Sequence, residues 1–211
     1  MPISTSTDCN LIFYTNPQSR GQIVRWMLEE AGVDYQQILL EYGTTMKAPE
    51  YLKINPMGKV PAITHKGKVV TECAAICAYL ADAFPDANLA PGLSDRADYY
   101  RWLFYAAGPL EAAIVNHSLQ VAIKEEQQRM VGYGTYERVL DVLSDRILSS
   151  AYIAGEQFTA ADVYIGSHVV WGLQFGSMEM RPGFEEYAAK LAERPAFKAA
   201  KEIDAGLIAA P

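Results

Sequence analysis

Cysteine is scarce in this sequence of 211 residues, and the spacing of the few that occur is not that of a metal or disulfide site. The three cysteines are Cys9, Cys73 and Cys77. An odd number without a C-x-x-C spacing argues against a disulfide framework, a zinc site and a two-cysteine redox motif. We therefore expect a reduced, cytoplasmic chain that carries no metal.

Basic clusters and long apolar runs are also missing. The formal net charge is −7, and no group of lysine or arginine residues is longer than a pair, so nucleic acid is not an expected partner. No stretch reaches the roughly 18 apolar residues of a membrane span. The first eight residues, MPISTSTD, lack the basic and apolar regions of a signal peptide. The sequence therefore predicts neither a membrane segment nor export.

The first eighty residues alternate between strand and helix patterns. The run Leu11–Tyr14 predicts a strand, and apolar residues at helical spacing follow until Gly32. The run Tyr35–Leu40 predicts a second strand, parallel to the first with a right-handed crossover. Two further strand runs flank Lys66–Gly67, a hairpin signal, and a helix pattern extends over Glu72–Phe84. This βαβ, ββα order is that of a thioredoxin-like domain.

Beyond residue 84 the strand alternation disappears. The stretch 85–92, PDANLAPG, collects turn residues between periodic segments, so we place a domain boundary there. Half of the residues are hydrophobic, which is enough for two small cores. The predicted organisation is a thioredoxin-like domain (9–84), a linker (85–92) and an all-helical domain (93–211).

Three helical patterns cover most of the predicted second domain. They extend over residues 94–120, over residues 124–149, and from Thr159 onward. Gly108 and Pro109 should kink the first pattern. Thr159 followed by Asp162 at the third position predicts a capping box for the last pattern.

Two motifs suggest a binding edge for an extended peptide. The first is Asn55–Pro61 (NPMGKVP), in which Gly58 permits a positive φ and Pro61 cannot donate to a strand ladder. The peptide bond before Pro61 is the expected cis bond of the chain. The second motif is Thr71–Ile76 (TECAAI), which places Glu72 at the start of a helix, where N–H groups attract an anion. A short peptide with a carboxylate at one end would fit between the two motifs.

Five motifs, in chain order, carry a resemblance to a known family. They are PQSR at 17–20, LEEAG at 28–32, NPMGKVP at 55–61, TECAAI at 71–76 and FTAAD at 158–162. Through them the sequence resembles the cytosolic glutathione S-transferases over nearly its whole length, as a bacterial-type, serine-like or beta-like member. The resemblance implies a thioredoxin-like domain that binds glutathione, a helical domain with the pocket for an electrophile, and a homodimer.

The resemblance implies an enzyme that conjugates the glutathione thiolate to small, largely apolar electrophiles, as in detoxification. Glutathione is then a co-substrate. A glutathione-dependent disulfide or peroxide reductase is an alternative, but that chemistry usually requires a cysteine near Ser19 and Arg20, and Cys9 precedes the first strand. A non-catalytic adaptor with the same fold is the other alternative. The identity of the electrophile and the balance between conjugation and reduction stay open.

A hydrogen-bond donor must stabilise the glutathione thiolate, because a thiol with a pKa near 8.5 is mostly protonated at neutral pH. By the resemblance, this catalytic donor belongs in the loop between the first strand and the first helix. Ser19 is the first candidate, although Ser19 and Gln22 also match a capping box. Arg20 is the second, since a cation at the start of a helix lies against the dipole. Tyr14 and Asn16 stay open as weaker alternatives, with sheet packing favoured for Tyr14.

By the resemblance, six residues are predicted to bind glutathione itself. The tripeptide backbone should pair with Val60, and its γ-glutamyl ammonium should meet Glu72. Cys73 stands where the family usually has serine; its thiol is a weak donor, but its backbone N–H can still hold the γ-glutamyl carboxylate. The predicted set is Lys47, Lys59, Val60, Pro61, Glu72 and Cys73, with the two lysines near the glycyl carboxylate.

The residue types give little evidence for the predicted electrophile pocket. The candidates are Tyr105, Pro109 and Trp171, and their position in the helical domain is what recommends them. Apolar residues at helical spacing belong to a core more often than to a pocket.

Overall fold

The described residues, 10–209 of the chain in a computed structural model, divide into two compact units. The first unit comprises the described residues up to Ala83 together with those from Pro195 onward, and the second extends from Phe84 to Arg194. Cys9, which opens the predicted first domain, lies outside the described residues. The α-helices are α1 (Gly21–Ala31), α2 (Pro49–Leu52), α3 (Cys73–Ala83), α4 (Ala97–Tyr105), α5 (Glu111–Ser118), α6 (Tyr136–Ser149), α7 (Ala160–Phe175), α8 (Phe184–Ala192) and α9 (Pro195–Ala209).

A mixed four-stranded sheet forms the centre of the first unit. Its strands are β1 (Leu11–Thr15), β2 (Gln36–Leu39), β3 (Ala62–His65) and β4 (Lys68–Thr71), in the spatial order β2-β1-β3-β4. β1 pairs parallel with β2 and antiparallel with β3, which pairs antiparallel with β4. Lys66 and Gly67 have φ values of 50° and 74°, as a tight type I′ hairpin requires. The predicted parallel pair and the predicted hairpin are confirmed.

The helices α1 and α3 pack against each other and against the sheet. The apolar stripe of α1 is buried, and the helix ends at Gly32, whose φ of 63° lets its N–H reach the carbonyls of Leu28 and Glu29. On α3 the fully buried side chains include Ile76 and Leu80. The thioredoxin-like order predicted for this part of the chain is therefore observed.

The last helix, α9, packs on α1 within the first unit. Arg25 of α1 donates to Asp204 of α9 at 2.7 Å, and both side chains are at most 3% exposed. A buried charge is costly without its partner, so this pair holds the two helices together. The predicted helical domain, 93–211, therefore differs from the structure from Pro195 onward.

The second unit is built from α4 to α8. The predicted interruption at Gly108 and Pro109 is observed as a π-helical segment, Ala106–Leu110, between α4 and α5. A proline inside a helix removes one backbone hydrogen bond and crowds the preceding turn, and a wider turn relieves both. Across the described residues, no helix is long and apolar enough to cross a membrane.

The helix pattern predicted over 124–149 is wrong in its first half. Only a short 3-10 turn, Glu125–Gln127, forms there, and α6 begins at Tyr136. Gly134, with φ of 71°, breaks the pattern, and the side chain of Thr135 caps the new helix by accepting from the N–H of Arg138 at 3.2 Å.

The capping box predicted at the start of α7 is confirmed. The N–H of Ala161 donates to the Thr159 hydroxyl at 3.3 Å, and the N–H of Thr159 donates to the Asp162 carboxylate at 2.9 Å. Asp162 is fully buried and also accepts from the N–H of Ile153 and the hydroxyl of Tyr187. These bonds satisfy a carboxylate that would otherwise be costly to bury.

Candidate functional site

Five of the predicted site residues line one cavity of about 150 Å³ in the first unit. We call it the cationic cavity, because three of its side chains are cationic and none is acidic. It is lined by Ser19, Arg20, Tyr42, Gly43, Met46, Lys47, Gly58, Lys59 and Val60. Tyr42, Gly43 and Met46, which follow β2, are not among the site residues predicted from the sequence. Their only signal in the sequence is the turn residue Gly43, three residues after the end of the predicted strand 35–40.

Val60 presents an unpaired backbone to this cavity. The sheet ladder of β3 starts two residues later, at Ala62, which pairs with Thr71 on one side and Tyr14 on the other. Within the described residues, the N–H and carbonyl of Val60 make no hydrogen bond. The peptide bond between Val60 and Pro61 is cis, as predicted. One residue of strand edge is thus open to an extended ligand.

Glu72 lies at the same end of the sheet. Because Ala62 pairs with Thr71, the next residue along the chain, Glu72, is brought next to Pro61. Its carboxylate is exposed and makes no hydrogen bond or ion pair with the described residues. Its φ is 66°, a conformation that is uncommon for a residue with a side chain and that often marks a functional site.

Ser19 occupies the loop before α1, but it does not form the capping box. Its hydroxyl donates to the carbonyl of Asn16 at 2.6 Å and accepts from the N–H of Gly21 at 2.9 Å. The Gln22 side-chain amide donates to the carbonyl of Pro17. The N–H of Ser19 donates to the carbonyl of Asn16 and not to the Gln22 side chain. The predicted capping box of Ser19 and Gln22 is therefore wrong. Its other half is observed, because the Ser19 hydroxyl accepts from a backbone N–H at the start of α1.

The starts of α1 and α3 meet at Arg20 and Cys73. Arg20 is the N-cap residue of α1, one position before the first turn in which the sequence had placed it. The thiol of Cys73 lies 3.8 Å from the Arg20 carbonyl oxygen, and Cys73 is the first residue of α3. This contact brings Ser19, Arg20 and Cys73 into one neighbourhood.

The two predicted lysines flank the loop that ends at Val60. The ammonium of Lys47 donates to the carbonyls of Met57 and Gly58, at 3.2 and 2.9 Å. The ammonium of Lys59 makes no hydrogen bond or ion pair with the described residues, although its backbone carbonyl accepts from the hydroxyl of Tyr51. Burial raises the pKa of Tyr51 to about 12, so that hydroxyl stays a donor at neutral pH.

Gly58 lets this loop approach the residues before α2. Its φ is 57°, and a Cβ built on it would lie 2.7 Å from the carbonyl oxygen of Met46 and 2.8 Å from the Lys47 nitrogen. Only glycine fits such a backbone approach at a positive φ. The cavity therefore depends on the backbone of this loop as much as on its side chains.

The two weaker thiolate candidates have structural partners. Tyr14 is buried and packs against Tyr51, with ring centroids 5.6 Å apart. The side chain of Asn16 donates to the carbonyl of Leu40 at 2.9 Å and accepts from the N–H of Gln18 at 2.9 Å. Asn16 thus shapes the loop that carries Ser19, whereas Tyr14 belongs to the hydrophobic core.

The three predicted electrophile-pocket residues lie in the second unit. The Tyr105 hydroxyl donates to the carbonyl of Val139 at 2.6 Å, and burial raises its pKa. Pro109 lies in the π-helical segment, and Trp171 is a half-buried residue of α7. Their role in a pocket stays a prediction.

A metal ion has no evident place among the described residues. Within 10–209, no group of three or more histidine, cysteine, aspartate or glutamate side chains is arranged to hold one.

Comparison with known proteins agrees with this geometry. Residues 10–82 match the family model described as glutathione S-transferase, N-terminal domain. The chain is 28% identical over 197 residues to the disulfide-bond oxidoreductase YfcG of Escherichia coli strain K12, covering 87% of this chain and 90% of YfcG. It is 28% identical over 176 residues to glutathione S-transferase GstA of Escherichia coli O157:H7, covering 80% of this chain and 86% of GstA.

A solved structure is similar over almost the whole chain. It is the glutathione transferase URE2P6 from Phanerochaete chrysosporium in complex with oxidized glutathione, with a TM-score of 0.76, 28% identity, and coverage of 96% of this chain and 100% of that one. The sheet order of the first unit is that of a thioredoxin-like domain, and the rest of the chain is mostly helical. The chain is thus similar to the cytosolic glutathione S-transferases, and its residues 10–82 match their N-terminal domain. The predicted fold class is thus confirmed, and these comparisons support the predicted resemblance to that family.

Proposed function

We propose that this protein is a glutathione S-transferase that conjugates the glutathione thiolate to small, largely apolar electrophiles. The observation that carries the proposal is the unpaired backbone of Val60 in a cavity with three cationic side chains. A tripeptide with a terminal carboxylate supplies both the strand that this edge lacks and the negative charge that this cavity favours.

In the proposed complex the cysteinyl backbone of glutathione pairs antiparallel with Val60. The glycyl carboxylate lies near Lys47 and Lys59, whose ammonium groups border the cavity. At the other end, the γ-glutamyl ammonium meets Glu72, and the γ-glutamyl carboxylate accepts from the N–H of Cys73 at the start of α3. Pro61 leaves this edge without a competing donor.

Ser19 is the proposed donor to the thiolate, with Arg20 as the second candidate. A hydrogen bond to a charged group contributes about 1.5–3 kcal/mol, which lowers a thiol pKa by about one to two units. To reach the sulfur, the Ser19 hydroxyl must turn its proton away from the Asn16 carbonyl. The thiolate then forms a bond to the electrophilic carbon, and the leaving group departs with its electron pair.

A second candidate function is glutathione-dependent disulfide reduction. The relative YfcG is named a disulfide-bond oxidoreductase, which favours this reading. The bound thiolate would attack one sulfur of a disulfide and release the other as a thiolate. This chemistry usually uses a cysteine near Ser19 and Arg20, but here the glutathione thiol would take the place of that cysteine. Parallel assays with chlorodinitrobenzene and with hydroxyethyl disulfide separate the two reactions. Faster turnover of the disulfide would make the reductase the main activity.

Calorimetry with glutathione tests the binding site. Glu72→Gln should raise the dissociation constant about tenfold or more, because the ammonium loses a charged acceptor. Lys47→Gln should raise it only about two- to fivefold, because a rim cation is screened by solvent. Glu202→Gln, on an exposed residue of α9, is the matched control and should change nothing. The opposite order of Glu72 and Lys47 would contradict the assignment, and no saturable heat would favour a non-catalytic adaptor.

We also propose that the protein is a homodimer, as the family resemblance implies. Light scattering at micromolar concentration should return about twice the chain mass of 23.3 kDa. A mass of one chain across the dilution series would contradict it.

A further inference from the structure

A second cavity, of about 190 Å³, is lined by residues of the second unit, none of which has a role in the proposed reaction. We call it the helical-unit cavity. It is lined by Ala113, Asn116, His117, Val121, Ile123, Gln128, Tyr133, Gly134, Thr135, Tyr136 and Glu137. These residues belong to the end of α5, to the connection after it and to the start of α6. The volume is similar to the roughly 150 Å³ of a closed apolar cavity that holds benzene, and this cavity is partly open to solvent, so it has room for one aromatic ring.

Aromatic rings form one wall of this cavity. The ring of His117 stacks on that of Tyr136, with centroids 3.9 Å apart and planes at 6°. The hydroxyl of Tyr136 accepts from the N–H of Glu179 at 2.9 Å, which fixes the ring. The Asn116 side chain donates to the Tyr133 hydroxyl at 2.8 Å, which fixes a third ring. The wall is thus in place before any ligand arrives.

The charge of the lining has one sign. Glu137 is its one carboxylate, and neither lysine nor arginine lines the cavity. Within the described residues, the Glu137 carboxylate makes no hydrogen bond or ion pair. Arg138 is its neighbour in sequence but is absent from the lining.

We propose that the helical-unit cavity binds a small planar aromatic cation, such as an arylamidinium or a protonated aryl amine. The flat ring stacks on the exposed ring of His117, which itself stacks on the buried ring of Tyr136. The cationic group points to the Glu137 carboxylate and the Asn116 side-chain oxygen. This proposal does not rest on the proposed function.

Three probes of the same size and shape test the charge preference. Benzamidine carries a positive charge at neutral pH, benzamide is neutral and benzoate is negative. Titrations followed in two-dimensional ¹H–¹⁵N spectra should move the signals of Asn116, Tyr133 and Glu137, with affinity falling in the order benzamidine, benzamide, benzoate. Benzoate binding as tightly as benzamidine, no saturable shift with benzamidine, or shifts confined to Ser19, Lys47 and Lys59 would overturn the proposal.

Two variants separate the charge from the cavity itself. Glu137→Gln should weaken benzamidine binding about two- to fivefold, because it removes a partly exposed ion pair, and should leave benzamide unchanged. Glu185→Gln removes an exposed acid of α8 and is the matched control, with no effect expected. Equal weakening by both variants would mean that the net charge of the protein, and not Glu137, causes the preference for benzamidine. That result would overturn the proposal. Glutathione binding should be the same in both variants, so this test and the test of the proposed function fail separately.

Discussion

The two cavities of this protein are similar in volume and opposite in the charge of their linings. The cationic cavity carries Arg20, Lys47 and Lys59 without an acid, although the net charge of the chain is −7. The helical-unit cavity carries Glu137 without a cation. Net charge therefore says little about a particular site, because a few side chains at short range outweigh distant, solvent-screened ones.

The cavities also differ in what builds them. The backbone shapes the first one: Val60 leaves an N–H and a carbonyl unpaired, and Gly58 permits the close approach of two loops. Side-chain rings shape the second, where His117 stacks on Tyr136. A substitution that adds a single methyl group should therefore damage the first cavity more than the second.

The largest expected effect comes from Gly58→Ala. The new Cβ would collide with the Met46 carbonyl at a positive φ, so the free energy of unfolding should fall by about 3 kcal/mol. Glutathione affinity should fall at least about tenfold, since the loop that presents Val60 must move. Chemical denaturation and calorimetry measure the two losses.

Gly43→Ala and Gly134→Ala are the matched controls for this substitution. Both glycines have positive φ, 74° and 71°, and nothing lies within 4 Å of a Cβ built on either. Each should lose only about 1–2 kcal/mol, the cost of the left-handed backbone. Gly43 lines the cationic cavity and Gly134 the helical-unit cavity. An equal loss in all three variants would show that the close contact at Gly58 is unimportant.

Sequence reasoning succeeded where the structure is local. The hairpin at Lys66 and Gly67 follows from two residues that tolerate positive φ. The capping box follows from Thr159 and Asp162, the first and last residues of a four-residue segment. In each case the residues that fix the structure are neighbours in the chain, so a short window contains all the information.

The features that the sequence did not predict depend on distant partners. The last helix belongs to the first unit because Arg25 and Asp204 meet across 179 positions, and no periodicity connects them. The helical-unit cavity forms between the end of α5 and the start of α6. The sequence pattern predicted a helix from residue 124, so it did not predict the irregular connection that lines this cavity. Tyr42 reaches the cationic cavity from a turn that carries no motif.

A smaller effect is expected from Ser19→Ala, which tests how the cationic cavity stabilises the thiolate. Ser19→Ala should raise the pKa of bound glutathione by about one to two units and reduce turnover about tenfold, with a smaller loss of affinity, because the hydroxyl acts on the charged sulfur. Ultraviolet absorbance of the bound thiolate reports the pKa. The hydroxyl also accepts from the N–H of Gly21, so about 1 kcal/mol of stability should be lost too.

Two further variants decide which residue stabilises the thiolate. Ser19→Thr keeps a hydroxyl and should retain most of the turnover at temperatures well below unfolding. If the thiol pKa is unchanged in Ser19→Ala but rises in Arg20→Ala, the cation is the activating group. If neither variant moves it, Tyr14→Phe and Asn16→Ala are the next to compare.

The smallest expected effect is that of salt, and it separates the two cavities by the number of charges in each. Raising the ionic strength from about 0.01 to about 0.15 M shortens the Debye length from about 30 to about 8 Å. Glutathione carries a net negative charge and faces three cations, so its affinity should fall about two- to threefold, whereas benzamidine, which faces one carboxylate, should lose less than about twofold. Calorimetric titrations of both ligands along one salt series make the comparison. Benzamide, which is uncharged, is the control for general salt effects on the protein. A glutathione affinity that does not change with salt would mean that Arg20, Lys47 and Lys59 lie too far from the bound carboxylates to act on them, and that the open backbone of Val60 holds the tripeptide with little electrostatic help.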